Sequence, residues 1–125
     1  METGGTILVV DDNNVFRSVV SKMLSRLGYE VSSADSGENG LRIFLKNKFD
    51  VVLSDYEMPG MDGVAFAHSV KNSSPLTRVV IMTGSDTGTV FSTKNPAVDE
   101  VISKPFTLVE IDEMIQSLSG KACFA

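Results

Sequence analysis

The segment ILVVDDNNVF, residues 7–16, places four apolar residues directly before two adjacent carboxylates, Asp11 and Asp12. A short apolar run without alternation is how a strand reads when a parallel sheet is covered on both faces. The acidic pair stops that run at the rim of the core, where like charges repel. Beyond it, Val15, Phe16, Val19, Val20, Met23, Leu24 and Leu27 recur at helical spacing as one broad inward stripe, closed by Gly28 as a left-handed cap.

The same strand-then-helix punctuation extends along the chain. Apolar runs at Val51 to Leu53, Val79 to Met82 and Val98 to Ile102, and a more amphipathic one from Tyr29 to Ser33, bring the strands to five. A second helix is expected from about Glu38 to Lys48, with Ser36 as N-cap and Leu41, Phe44 and Leu45 facing inward. Asp62 caps a third through about Lys71. Thr107 and Glu110 form a T-x-x-E capping box for the last, whose Leu108, Ile111, Met114, Ile115 and Leu118 face inward. The connection SDTGTVFSTKNP, Ser85 to Pro96, has little apolar periodicity, so any helix there is short or mobile. Strands and helices in alternation imply an α/β fold, a doubly wound parallel sheet with helices on both faces. Ligands in such folds bind outside the carboxyl ends of the strands, near the switch point of strand order.

With 125 residues and 42% hydrophobic content, one domain spanning residues 1–125 is expected, with no linker, internal repeat or output domain and a tail of about seven residues, 119–125. The formal charge is −5 and the cations are scattered, so no basic face is offered to a nucleic acid. A lone cysteine, Cys123, makes no internal disulfide, and no run approaches the length of a membrane span. The chain reads as cytoplasmic.

The strand ends collect Asp11 and Asp12, Asp55, Thr83, and then Ser103, Lys104 and Pro105. Singly, such residues are ordinary turns, caps or solvated charges. Together they are a chemical set. Three neighbouring carboxylates raise one another's pKa unless a cation sits among them, and oxygen ligands with open positions suit Mg²⁺. If a phosphoryl group joins the metal, Lys104 can neutralise its charge, Thr83 can donate a hydrogen bond, and Asp55 becomes the nucleophile of an acyl phosphate.

The segments VVDDN, VVLSDYEMPGMDG, VIMTG and ISKPF, in this order and spacing, resemble the receiver domain of two-component response regulators over essentially the whole chain. The resemblance implies a flavodoxin-like five-stranded sheet of order 2-1-3-4-5. It implies that Asp55 takes a phosphoryl group from the phosphohistidine of a histidine kinase or phosphotransfer protein in a bacterial cytoplasm, switching contacts with a downstream protein target. Asp12 and Asp55 would ligate Mg²⁺ directly, Asp11 through water, and the Glu57 backbone carbonyl would complete the protein ligands. Thr83 and Lys104 match the switch hydroxyl and the phosphate-binding lysine, and Pro105 the position of a cis peptide bond. The chain would promote only its own phosphorylation and dephosphorylation, acting as no enzyme on other substrates. The resemblance implies a face for a partner or for a homodimer, made by the fourth helix and fifth strand.

One position departs from the family pattern: Val101 stands where a switching Tyr or Phe is common, so an aromatic rotamer switch cannot operate. Signalling would then rest on movement of Thr83 and the Ser85 to Pro96 segment, or the domain would switch weakly. Glu57 and Ser85 flank the path of an attacking water and are expected to tune the lifetime of the phosphoryl group. His68, the single histidine, reads as an ordinary helix residue. A haloacid-dehalogenase-type phosphatase would place its nucleophile first and its acidic pair last. A flavodoxin-like FMN carrier would suffer repulsion between Asp11, Asp12 and its phosphate. A non-phosphorylated pseudo-receiver, a protein-binding module, is the alternative that Val101 keeps open.

Overall fold

The computed structural model describes residues 5–84 and 95–122. Its strands are β1 (Thr6–Val10), β2 (Glu30–Ala34), β3 (Val51–Asp55), β4 (Arg78–Thr83) and β5 (Glu100–Ser103). Its helices are α1 (Asn14–Arg26), α2 (Gly37–Lys46), α3 (Gly63–Ser73) and α4 (Leu108–Ala122). The strands form one sheet in the order β2-β1-β3-β4-β5. All four pairings are parallel, with Leu8 opposite Ser32 and Val52, and Val80 opposite Glu100.

Successive side chains on a strand point to opposite faces, and here both faces are covered. Leu8, Val10, Val52, Val79 and Ile81 pack with Phe44 of α2 and Phe66 and Val70 of α3. Ile7, Val9, Val51, Leu53, Val80 and Met82 pack with Val20 and Leu24 of α1 and Ile111 and Ile115 of α4. This two-sided burial is why β1, β3 and β4 carry apolar runs without alternation; β2, at the edge, exposes Glu30, Ser32 and Ser33.

The caps expected at Ser36, Asp62 and Thr107 with Glu110 are borne out, and Asn13, not singled out from the sequence, caps α1. Asn13, Ser36 and Asp62 each accept a hydrogen bond from the backbone N–H three residues on, which fixes where α1, α2 and α3 begin. Thr107 and Glu110 cap α4 reciprocally: the Thr107 Oγ1 accepts from the Glu110 N–H at 3.1 Å, and the Glu110 Oε1 from the Thr107 N–H at 2.8 Å. Gly28 adopts φ 100, the left-handed conformation expected after α1. The strands are displaced by one or two residues from their expected bounds, most clearly β5, which starts at Glu100 because Ala97 and Val98 are buried in the turn before it.

Four residues expected inside are not. Val15 is 74% exposed and Val19 is also exposed, because only the Val20 and Leu24 side of α1 meets the sheet. Leu45 is 60% exposed, since its neighbour Phe44 takes the inward position of that turn. Leu108, at the first turn of α4, stands ahead of the buried Ile111 and is partly open to solvent. His68 is exposed on α3, as an ordinary surface residue would be. Most of the Ser85 to Pro96 connection, and the end of the tail with Cys123, lie outside the described residues. Among the described residues, no helix is long and apolar enough to cross a membrane.

Candidate functional site: an acidic pocket at the carboxyl rim

Strand order reverses at β1, which lies between β2 and β3, and the carboxyl ends of β1 and β3 open into a pocket of about 410 Å³. Asp11, Asp12, Asp55, Glu57 and Lys104 are among its walls. Asp11, Asp12 and Asp55 each present an oxygen within 4.8 Å of the others. Of the rim residues singled out from sequence, Asp11, Asp12, Asp55 and Lys104 meet in this pocket.

Each is placed by local chemistry. The Asp11 N–H continues the β1–β2 ladder to the Ala34 carbonyl, which carries the residue to the very end of the strand, fully buried. Its Oδ1 accepts from the Asn13 N–H at 2.9 Å and its Oδ2 from the Lys104 Nζ at 3.0 Å. Asp12, next in the chain, faces solvent. Asp55 ends β3, and the loop beyond it folds straight back: the Tyr56 N–H donates to the Met82 carbonyl and the Gly63 N–H to the Tyr56 carbonyl. Only glycine fits at position 63, because a Cβ there would strike the Asp55 carbonyl oxygen. The D-G pair of the loop motif thus lets α3 begin against the backbone of the central aspartate.

Lys104 reaches in from the end of β5. Its N–H donates to the Thr83 carbonyl at 2.7 Å, and its ammonium lies 3.0 Å from Asp11 and 3.1 Å from Asp55. The Lys104-Pro105 peptide bond is cis. Burial, and then the adjacent Asp11 charge, push the Asp55 carboxyl above its usual range; the Lys104 ammonium offsets only part of this. Burial alone would lower the Lys104 pKa, but its hydrogen bonds and charge pairing with Asp11 and Asp55 outweigh burial and raise it. The Thr83 hydroxyl is buried at the end of β4 with no hydrogen-bond partner among the described residues. A buried polar atom without a partner is uncommon in a folded protein.

Not every residue named from sequence joins the pocket interior. Glu57 is exposed at its mouth, and Pro105 is exposed behind Lys104. Val101 is partly buried and packs on the α2–α3 side of the core, across from Ile81. Ser85 lies outside the described residues. Three contributors were not singled out. Asn13 both caps α1 and holds Asp11. Arg17 donates to the Asp11 carbonyl at 2.7 Å. Phe16 lies under the Lys104 ammonium. An asparagine ahead of a helix is an N-cap signal that could have marked Asn13, while the arginine and phenylalanine read only as helix residues.

Three carboxylates grouped within reach of one ion, two of them also paired with an ammonium, fit a hard divalent cation, and the oxygen-only donor set leaves room for water and for further oxygens. The family profile described as "Response regulator receiver domain" matches residues 7–116. The chain is 30% identical over 118 residues to a probable chemotaxis protein CheY of Rhizobium etli, covering 91% of this chain and 92% of that protein. It is 35% identical over 103 residues to the autoinducer 1 sensor kinase/phosphatase LuxN of Vibrio campbellii, covering 82% of this chain and spanning 12% of LuxN's length. The response regulator TrrA of Thermotoga maritima, solved in complex with Mg²⁺-BeF, superposes with a TM-score of 0.81 at 29% identity, covering 92% of this chain and 99% of that one. Sequence, strand order and pocket thus agree, and the chain belongs to the receiver-domain family of two-component response regulators.

Proposed function

We propose that this domain accepts a phosphoryl group on Asp55 from the phosphohistidine of a histidine kinase or phosphotransfer protein, in a Mg²⁺-dependent reaction. The observation that carries the reading is the position of the Asp55 carboxylate: 3.1 Å from the Lys104 ammonium and grouped with Asp11 and Asp12. An Asp55 carboxylate oxygen attacks phosphorus, the bond from phosphorus to the donor imidazole nitrogen breaks, and the electron pair leaves with the imidazole. Lys104 draws the phosphoryl oxygens by charge, and the Thr83 hydroxyl donates to one of them. Asp12 and Asp55 would hold the ion directly, with Asp11 through water and the Glu57 carbonyl on the remaining side; when bound, the ion supplies positive charge to the transferring oxygens.

The donor has a surface to meet. Val15 and Val19, one turn apart on α1 and both exposed, lie next to the segment that carries Asp11 and Asp12. An apolar ridge beside the pocket suits the helix of a phosphodonor. The chain turns over no other substrate in this reading; it promotes its own phosphorylation and its own dephosphorylation by water, in the cytoplasm with its donor. Rotation of the Thr83 hydroxyl toward the phosphoryl group moves the end of β4, and with Val101 in place of an aromatic ring that movement is the switch that a downstream protein reads. Glu57, at the mouth, tunes attack by water; Glu57→Asn changes the dephosphorylation rate.

Intact mass after incubation with a small acyl phosphate tests the proposal. A Mg²⁺-dependent gain of one phosphoryl group, labile to base and absent in Asp55→Asn, is expected. No adduct in the parent, together with no beryllofluoride complex, would overturn it in favour of a protein-binding module that is not phosphorylated.

A further inference from the structure

The Lys104 ammonium is met from three directions. Asp11 and Asp55 lie on two sides, and the third is the face of an aromatic ring: Nζ is 4.5 Å from the Phe16 ring centroid. The Phe16 ring is braced edge-on by Phe106, with centroids 5.7 Å apart and planes at 83°. Phe16 belongs to the first turn of α1, and its own N–H donates to the Asn13 side chain at 2.9 Å. The Asn13 N–H in turn holds Asp11, so one short segment carries both the carboxylate and the ring that border the ammonium.

We propose that Phe16 is a positioning residue for Lys104, its ring face fixing the ammonium where incoming phosphoryl oxygens arrive. The inference rests on the reading of Lys104 as the phosphate-binding group. A lysine side chain has a flexible four-carbon stem, and its head must be localised if it is to meet a charge that develops during transfer. A ring face attracts a cation through its quadrupole. It does so without adding a formal negative charge to a rim that already holds three carboxylates, and without a lone pair that competes with an anion. As phosphoryl oxygens draw Nζ away from Asp11 and Asp55, the ring contact is the one that is kept. Phe106, two residues beyond Lys104, keeps the ring face turned toward the ammonium.

Phe16→Leu and Phe16→Tyr in the full chain test this, with folding checked by thermal melting; Phe16→Met replaces the Leu variant if that one fails to fold. The first readout is the proton shift of the Lys104 ε-methylene, assigned with Lys104→Arg, in protein that is not phosphorylated. Ring current holds this signal upfield in the parent and in the Tyr variant, and it moves to the ordinary lysine position in the Leu variant. The second is the rate of phosphorylation by a small acyl phosphate at saturating Mg²⁺. The Leu variant is about three- to tenfold slower and the Tyr variant close to the parent. In a Lys104→Ala background Phe16→Leu has no further effect. An ordinary ε-methylene shift in the parent, or the same rate loss in the Lys104→Ala background, would overturn the inference. The shift is read without phosphorylation, so failure of the Asp55 chemistry and failure of the ring contact are told apart.

Discussion

Carboxylates and cations meet at both ends of this sheet, with opposite balances. At the amino end, Asp99 lies between Lys71, at 2.7 Å, and Arg78, at 3.4 Å, and its Oδ2 also accepts from the Val79 N–H. Lys71 donates as well to the Thr77 carbonyl, so α3, β4 and the approach to β5 are tied at one point. One carboxylate there has two cations. At the carboxyl end three carboxylates lie together and the one ammonium pairs with two of them, Asp11 and Asp55, while Arg17 is directed to a backbone carbonyl and to Asn14. The Thr83 hydroxyl beside them has no partner among the described residues. A closed cluster with cations in excess ties elements together as scaffold; an open one with carboxylates in excess has the character of a cation site.

The largest effect separates the two ends by chemistry. Asp55→Asn should reduce phosphoryl incorporation from an acyl phosphate to background, whereas Asp99→Asn should leave it within about twofold. Loss of incorporation in both, in folded protein, would erase the distinction. Lys104→Met should come next, slowing phosphorylation by about a hundredfold, the size expected when one charged stabiliser of the transferring group is removed. Stability should show the reverse order. Asp99→Ala leaves two cations with no carboxylate between them and an unmet Val79 N–H, and should cost about 2 to 3 kcal/mol in chemical denaturation.

The smallest effect concerns pH. Burial and the Asp11 charge hold the Asp55 carboxyl above its ordinary range in the metal-free protein. A raised acid contributes stability that is complete below its value in the unfolded chain and is lost as pH rises through its value in the folded chain. Metal-free parent should therefore lose stability relative to Asp55→Asn as pH climbs from about 4 toward neutrality. A difference between the two proteins that stays constant across that range would contradict the raised value. Lys104, also raised, follows the same sign in the alkaline range: its contribution holds below the ordinary lysine value and fades above it.

The contrast between the ends also explains what was legible in the sequence. The five strands and four helices among the described residues, with the caps at Ser36, Asp62 and Thr107, follow from local signals: apolar runs without alternation, hydroxyl or carboxylate residues ahead of helices, and Gly28 at a positive φ. The rim residues were legible because strand ends in a doubly wound sheet converge, so position in the chain nearly fixes position in space. Asp99, Lys71 and Arg78 were not, since their meeting depends on how the end of α3 lies against the start of β4. Phe16 was hidden for a related reason. Helical spacing marks a residue as inward-facing without saying whether the core or a lysine from residue 104 meets it, and the same spacing misplaced Val15 and Val19.

If the carboxyl rim is a cation site, Mg²⁺ must stabilise the folded chain, and it must do so through those carboxylates. Thermal melting with and without Mg²⁺, for the parent, Asp12→Asn, Asp55→Asn and Asp99→Asn, reads this directly. The parent and Asp99→Asn should melt higher in Mg²⁺, by the equivalent of about 1.4 kcal/mol when the ion is tenfold above its dissociation constant. Asp12→Asn and Asp55→Asn should lose most of that gain. A parent indifferent to Mg²⁺, or an Asp12→Asn variant that gains as much as the parent, would contradict the account.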